Sequence, residues 1–144
     1  MTRTNYFRDL MPTVAPEADD RAWWEACRRH ELTVPTCSLC GLSRFPISPV
    51  CPQCFRPGMA LKKVSGRGKI FSYTVQHNPP TPALAAICPY NIAIIELDDT
   101  ERTHMVSNIV DATPDELAIG LPVEVVWEEL QGNITVPRFR VTGF

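Results

Sequence analysis

The sequence predicts a mainly β protein with one short N-terminal helix and a small cysteine-rich module ahead of its strands. Three observations predict it. Four of the six cysteines fall within residues 37–54, five short segments beyond Leu61 are rich in β-branched and aromatic residues, and one stretch before the cysteines is built of helix formers. A chain of 144 residues with 44% hydrophobic content buries one ordinary core and has no room for two full domains.

The helix comes first. Residues 18–31 (ADDRAWWEACRRHE) place acidic side chains at the start and Arg28, Arg29 and His30 at the end, the polarity that the helix dipole favours. Trp23 and Cys27, four apart, share a face, with Trp24 beside them. That aromatic side either packs on the chain's own core or anchors a partner, because Trp with Arg neighbours is typical of interface anchors.

The cysteine module, CSLCGLSRFPISPVCPQC, follows at 37–54. The first twenty residues lack an apolar secretory stretch and no apolar run is long enough for a bilayer, so the expected compartment is cytoplasmic. Clustered thiols in a reducing compartment are metal ligands or redox groups more often than a disulfide framework. Here two C-x2-C pairs, Cys37/Cys40 and Cys51/Cys54, stand ten residues apart, with Gly41 and Pro52 where tight turns need them. Each pair on a turn presents two sulfurs to one tetrahedral ion, the pattern of a zinc ribbon. Four thiolates close the coordination shell, so the metal is expected to be structural and not a Lewis acid. The redox reading of a lone C-x-x-C needs a helix N-terminus in a βαβ setting, which is missing here. Cys27 and Cys88 read as small buried hydrophobes, since no His or Asp stands at an activating spacing.

Five strands are expected at 69–77 (KIFSYTVQH), 90–99 (YNIAIIELDD), 102–110 (RTHMVSNIV), 122–130 (PVEVVWEEL) and 138–144 (RFRVTGF). A polar corner at 98–101 joins the second and third through a loop longer than two residues. Between the third and fourth, Thr113 can cap, Pro114 suits a first helical position, Glu116 closes a capping box and Gly120 ends the turn, so a short helix is expected there. Five strands with a small helix between the third and fourth match the OB-fold, a partly open Greek-key barrel. Residues 76–91 read as a long loop whose apolar part, 83–87, is a candidate wall for an acyl channel. SGRGKI at 65–70 lacks the Lys-Ser/Thr and the helix of a phosphate loop and reads as a turn into the first barrel strand.

Charge narrows the function classes. The net charge is −2, and residues 61–144 hold seven Lys/Arg against ten Asp/Glu, which disfavours a polyanion. The alternative of a single-stranded nucleic-acid module needs stacking aromatics in a cationic groove. Of Phe71, Tyr73, Tyr90, Trp127, Phe139 and Phe144, most fall where strand alternation buries them. Lys62, Lys63, Arg67 and Lys69 form a small basic group at the ribbon-to-barrel junction and read as a solvated cluster. The three histidines stand at no catalytic spacing.

The tryptophan helix, CSLCGLSRFPISPVCPQC, SGRGKIFSYTV, PYNIAIIELDD and IGLPVEVVWEE, in that order from about Asp20 to Phe144, resemble the acyl-CoA-associated zinc-ribbon/OB-fold family, long known only as a domain of unknown function. The resemblance implies a helical arm over 1–33, a rubredoxin-like zinc ribbon over 34–60 and a C-terminal OB-fold over 61–144. It implies zinc on Cys37, Cys40, Cys51 and Cys54, and no catalytic residues. The role implied is that of a non-catalytic accessory subunit in acyl-CoA or steroid-CoA metabolism. Its partner would be a thiolase-like or sterol-carrier-type thiolase/aldolase protein, or a MaoC-like hydratase. Such a hetero-oligomer would meet acyl-CoA only through the complex, and would use neither nucleic acid nor membrane. Where the family's ribbon often reads Pro-Pro, this chain has Phe45-Pro46-Ile47. Trp23, Trp24, Phe45 and Ile47 are the candidate partner-binding anchors.

Overall fold

A computed structural model describes Phe7, Leu10 and residues 14–143. Phe144, read above as the end of the last strand, and most of the first thirteen residues lie outside the described residues. In chain order the elements are α1 (Arg21–Arg28), β1 (Thr33–Cys37), β2 (Met59–Lys63), β3 (Arg67–Gln76), β4 (Tyr90–Leu97), β5 (His104–Ser107), β6 (Pro122–Leu130) and β7 (Ile134–Val141). No helix among the described residues is long and apolar enough to cross a membrane.

α1 is shorter than the 18–31 segment, and its acids precede the first turn. The reason is local. Asp20 stands at the N-cap, where its carboxylate accepts the Glu17 amide at 2.7 Å and the Trp24 indole N–H at 3.3 Å. At the other end His30 takes a left-handed φ of 58°, which stops the helix.

β1 and β2 form a two-stranded ribbon, and the other five strands form one antiparallel sheet in the order β5-β4-β3-β6-β7. The sheet curls until its two ends meet. The Val110 amide donates to the Phe139 carbonyl at 2.8 Å and the Phe139 amide to the Asn108 carbonyl at 3.0 Å, so the chain just past β5 pairs with β7. The result is a half-barrel OB-fold whose interior holds Ile70, Ile95, Ile109, Val123 and Phe139. Trp23 and Cys27 of α1, with Leu32 and Val34 at the ribbon base, join the same core. Helix, ribbon and barrel therefore lose apolar surface to one another, which the hydrophobic effect favours by roughly 25 cal/mol per Å².

Three expectations change. The stretch after Thr113 is capped as read, with the Thr113 amide donating to the Glu116 carboxylate at 3.0 Å. It closes only as a 3-10 turn, Pro114–Glu116, because Leu117 leaves it in extended conformation to bury its side chain. The last strand starts at Ile134, four residues early, joined to β6 by a tight turn with Gly132 at φ 79° and Asn133 at φ 59°. Pro137 inside β7 masks it in the sequence, and is tolerated because β7 is the last strand of the sheet order. The long loop carries a 3-10 turn, Pro82–Ala86, whose Leu84 packs with Phe7 and Tyr90 in a second small core.

The SGRG segment answers to strand packing. A Cβ at Gly68 would lie 2.4 Å from the Glu96 carbonyl oxygen, so β3 and β4 approach too closely there for any side chain. Gly68→Ala is expected to lower stability by about 1–3 kcal/mol, read from urea unfolding; an unchanged midpoint would refute this account of the glycine.

Candidate metal centre and adjoining groove

The ribbon's register, Thr33↔Lys63 through Cys37↔Met59, sets two turns side by side at its tip. In the first, the Cys40 amide points to Cys37 Sγ at 3.5 Å and the Gly41 amide donates to the Cys37 carbonyl at 3.0 Å. The second repeats it: the Gln53 amide points to Cys51 Sγ at 3.4 Å and the Phe55 amide donates to the Cys51 carbonyl at 2.9 Å. Gly41 (φ 80°) and Phe55 (φ 60°) hold the same left-handed position after each pair. Glycine adopts it freely, whereas a side chain there costs about 1 kcal/mol.

These turns bring four sulfurs together. Cys37 and Cys54 approach to 3.6 Å, as do Cys40 and Cys51, and all four lie within 4.8 Å of one another. A tetrahedral zinc with Zn–S of about 2.3 Å sets its sulfurs about 3.8 Å apart, so the cluster fits the ion without rearrangement.

The thiols' own chemistry agrees. The Cys40 amide, then that of Leu39, holds Cys37 down to about 6, and the Cys54 amide draws Cys51 down as well. Cys54 moves the other way, to about 11: the Arg56 amide pulls it down, but burial and the neighbouring thiols together push harder. Four sulfurs this close cannot all ionise on their own, and a divalent cation is the charge that lets them. Cys37, Cys40, Cys51 and Cys54 are thus positioned to bind one metal ion, and their spacing suits a structural zinc.

The remaining cysteines sit apart from this centre. Burial drives Cys27 up to about 12, which makes it an inert core thiol. Cys88 packs beside the second small core. His30 stacks on Trp127 with ring centroids 5.4 Å apart, whereas His104 lies on Phe71 and against Glu96.

The four anchor candidates, spread over two segments, line one groove of about 260 Å³. Trp23 meets Trp24 edge-on at 4.8 Å and Phe45 edge-on at 6.0 Å, and Ile47 extends the apolar wall. One correction applies. Trp23 is only 7% exposed, and its indole N–H donates to the Thr33 carbonyl at 2.9 Å, so this ring belongs to the core and supplies only the groove's floor. Glu17, Asp19 and Asp20 form the acidic rim.

Sequence reasoning passed over the knuckle tips. Leu39 in the first turn and Phe55 after the second are 60% and 78% exposed, apolar side chains held outward beside the metal centre. A signal for Phe55 exists: it occupies, one pair later, the position that Gly41 fills.

Comparison with known proteins places this geometry. Residues 24–60 match the family described as the ChsH2 rubredoxin-like zinc ribbon domain, and residues 61–128 match the ChsH2 C-terminal OB-fold domain. A DUF35 domain-containing scaffold protein of Methanothermobacter thermautotrophicus is 40% identical over 112 residues, covering 77% of this chain and 82% of the relative. A probable enoyl-CoA hydratase alpha subunit of Thermomonospora curvata is 37% identical over 131 residues, or 91% of this chain; the chain spans 40% of that relative's length. Among solved structures, a chain of the Ltp2-ChsH2(DUF35) aldolase superposes with a TM-score of 0.79 at 36% identity, covering 91% of this chain and all of the other. With its zinc ribbon seated on an OB-fold half-barrel, and with a 40% identical relative covered over 82% of its length, the chain belongs to the DUF35 family.

Proposed function

We propose that this chain is a non-catalytic accessory subunit, cytoplasmic, that docks on a thiolase-like protein, either a thiolase or a retro-aldolase, and supports its turnover of an acyl-CoA or steroid-CoA thioester. The observation that carries the reading is the close likeness, over the whole matched chain, to the ChsH2(DUF35) chain of an aldolase. The scaffold name of its Methanothermobacter thermautotrophicus relative and the hydratase-subunit name of a longer one point the same way, and a MaoC-like hydratase is the second partner class. Trp24, Phe45 and Ile47 are the docking anchors on this reading, with Trp23 beneath them. Binding of single strands is disfavoured by the fate of the barrel aromatics: Phe139 and Tyr90 are buried and Tyr73 and Trp127 pack against the core, so among the described barrel aromatics Phe71 alone is exposed, too few to stack successive bases.

The test is affinity purification of the tagged protein from its native cell, with zinc assayed in the eluate. A thiolase-like or hydratase-like chain is expected in near-equal amount, and the Trp24→Ala, Phe45→Ala double variant is expected to lose it while keeping its zinc and a cooperative unfolding transition. Anchors of this kind contribute about 2 kcal/mol or more each, so retention should fall at least about tenfold. Recovery of nucleic acid, or of the chain alone and catalytically active, would overturn the proposal.

A further inference from the structure

The groove between α1 and the ribbon is more than an apolar slot. Trp24 and Phe45 stand nearly square to Trp23, at interplanar angles of 85° and 80°, so one floor ring carries two upright walls. Both walls are held in place. The Trp24 indole N–H is tied to the Asp20 carboxylate. Phe45 packs on the core cluster, and Arg44 pins the segment that carries it, donating from Nε to Ser48 Oγ at 3.3 Å and from Nη2 to the Ser48 carbonyl at 3.0 Å.

The rim has one sign of charge. Glu17, Asp19 and Asp20 line the cavity with the three rings, and no Lys, Arg or His does. Glu17 and Asp19 are exposed, and among the described residues no cation pairs with any of the three carboxylates. The N-terminus of α1 supplies about half a positive charge nearby, too little to offset three negative ones.

Rings and carboxylates together select a cation. An aromatic face is electron-rich and attracts an ammonium or guanidinium group within about 6 Å of its centroid, most strongly for Trp. A neutral apolar group would use the rings but leave the carboxylates idle, and an anion would be repelled by the rim. Size narrows the occupant further. At about 260 Å³ the groove is smaller than the roughly 300–1,000 Å³ of most small-molecule pockets, and it has room for one long side chain.

We propose that this groove is a cation box that receives a Lys or Arg side chain of the protein on which the chain docks. The aliphatic stem of that side chain lies along Ile47, and its charged head sits among the rings against Glu17 and Asp19. The existence of a partner rests on the accessory-subunit reading. What is added is the chemistry of the contact: the partner's central residue is basic, and the two aromatic walls act through their ring faces as well as through apolar area.

Two measurements test it. In the first, the zinc-loaded, ¹⁵N-labelled chain alone is titrated with Nα-acetyl-lysine methylamide, its arginine counterpart and the uncharged norleucine counterpart, and the indole N–H signals are followed. The Trp24 signal is expected to shift and saturate with both cations, whereas Trp127, which stacks on His30 and does not line the groove, stays still. The norleucine compound should bind about tenfold more weakly. In the second, the complex is purified and its dissociation constant measured. Phe45→Leu keeps an apolar side chain but loses the ring face, and should weaken docking about tenfold. Glu17→Gln with Asp19→Asn should weaken it about fivefold and flatten its salt dependence. Retained zinc and a cooperative unfolding transition separate lost docking from lost fold. Docking that survives Phe45→Leu and ignores salt, or equal binding of the norleucine and lysine compounds, overturns the box while leaving the accessory-subunit reading in place. Much tighter binding of tetramethylammonium than of either side-chain compound overturns the occupant in favour of a free quaternary ammonium. An eluate with no partner chain overturns the accessory-subunit reading and the partner side chain with it, and the titration of the chain alone tells that result apart from a failed box.

Discussion

Cys37→Ser is expected to strip the protein of its zinc and unfold the ribbon, with a large fall in melting temperature. Zinc binding stabilises such modules by roughly 10 kcal/mol, and loss of one of four thiolates forfeits much of that. The damage should not stop at the ribbon. β1 carries both Cys37 and Val34, and Val34 sits with Leu32, Trp23 and Ile70 in the shared core, so an unfolded ribbon uncovers one wall of the barrel. Metal content by atomic emission and thermal unfolding by circular dichroism check this together. A Cys37→Ser protein that melts like the parent would show that the barrel, not the metal, holds the ribbon.

The same centre predicts a pH dependence. Cys54 is raised, so without metal it keeps its proton up to about 11, and zinc must displace that proton at neutral pH. Cys37 is lowered to about 6 and is already ionised at pH 7. Apparent zinc affinity should therefore rise with pH, by about tenfold or more per unit above pH 6, and fall more steeply below it as Cys37 also takes up a proton. Competition with a chelator at pH 5.5, 7 and 8 measures the slope, and a flat profile would exclude thiolate ligation.

Glu128→Gln is expected to be the most damaging single change in the barrel outside the apolar core. Arg138 and Glu128 form a buried ion pair at 3.1 Å, their side chains 10% and 3% exposed. Arg138 also donates to Asn108 Oδ1 at 2.8 Å, and its guanidinium lies over the Phe7 ring at 4.8 Å. Among the described residues, Glu128 Oε2 and Arg138 Nε have no hydrogen-bond partner, so the pair is not surplus to a larger network. Removing one charge strands the other in low dielectric, which costs about 3–5 kcal/mol. Replacing both, as Glu128→Met with Arg138→Met, should cost far less, since two apolar side chains leave no buried charge. Denaturant unfolding of the two singles and the double completes the cycle; equal losses for Glu128→Gln and the double would mean that packing and not charge is at stake.

The zinc centre was legible because a covalent spacing dictates it: C-x2-C on a turn already brings two sulfurs to one ion, and only the meeting of the two turns needed the fold. β6 was legible to its exact ends because apolar and polar residues with high strand propensity run unbroken from Pro122 to Leu130. β7 was half hidden, since Pro137 argues locally against a strand that only its place at the sheet edge permits. The short helix after Thr113 was over-read because capping signals are local, whereas the pull that ends it, burial of Leu117, comes from across the barrel. Trp23 and Trp24, adjacent and alike in sequence, were divided by the core into a buried ring and a groove wall. The row Lys69–Glu96–His104 was invisible in one dimension, because strand register alone joins it. By itself, then, the sequence determined the cluster of four cysteines positioned for a metal, the strand-rich half-barrel and the order of the parts, all of which rest on spacing and periodicity along the chain. Tertiary structure decided which aromatic side chains stay outside and which charges meet, because burial and register depend on what the rest of the chain places opposite each residue.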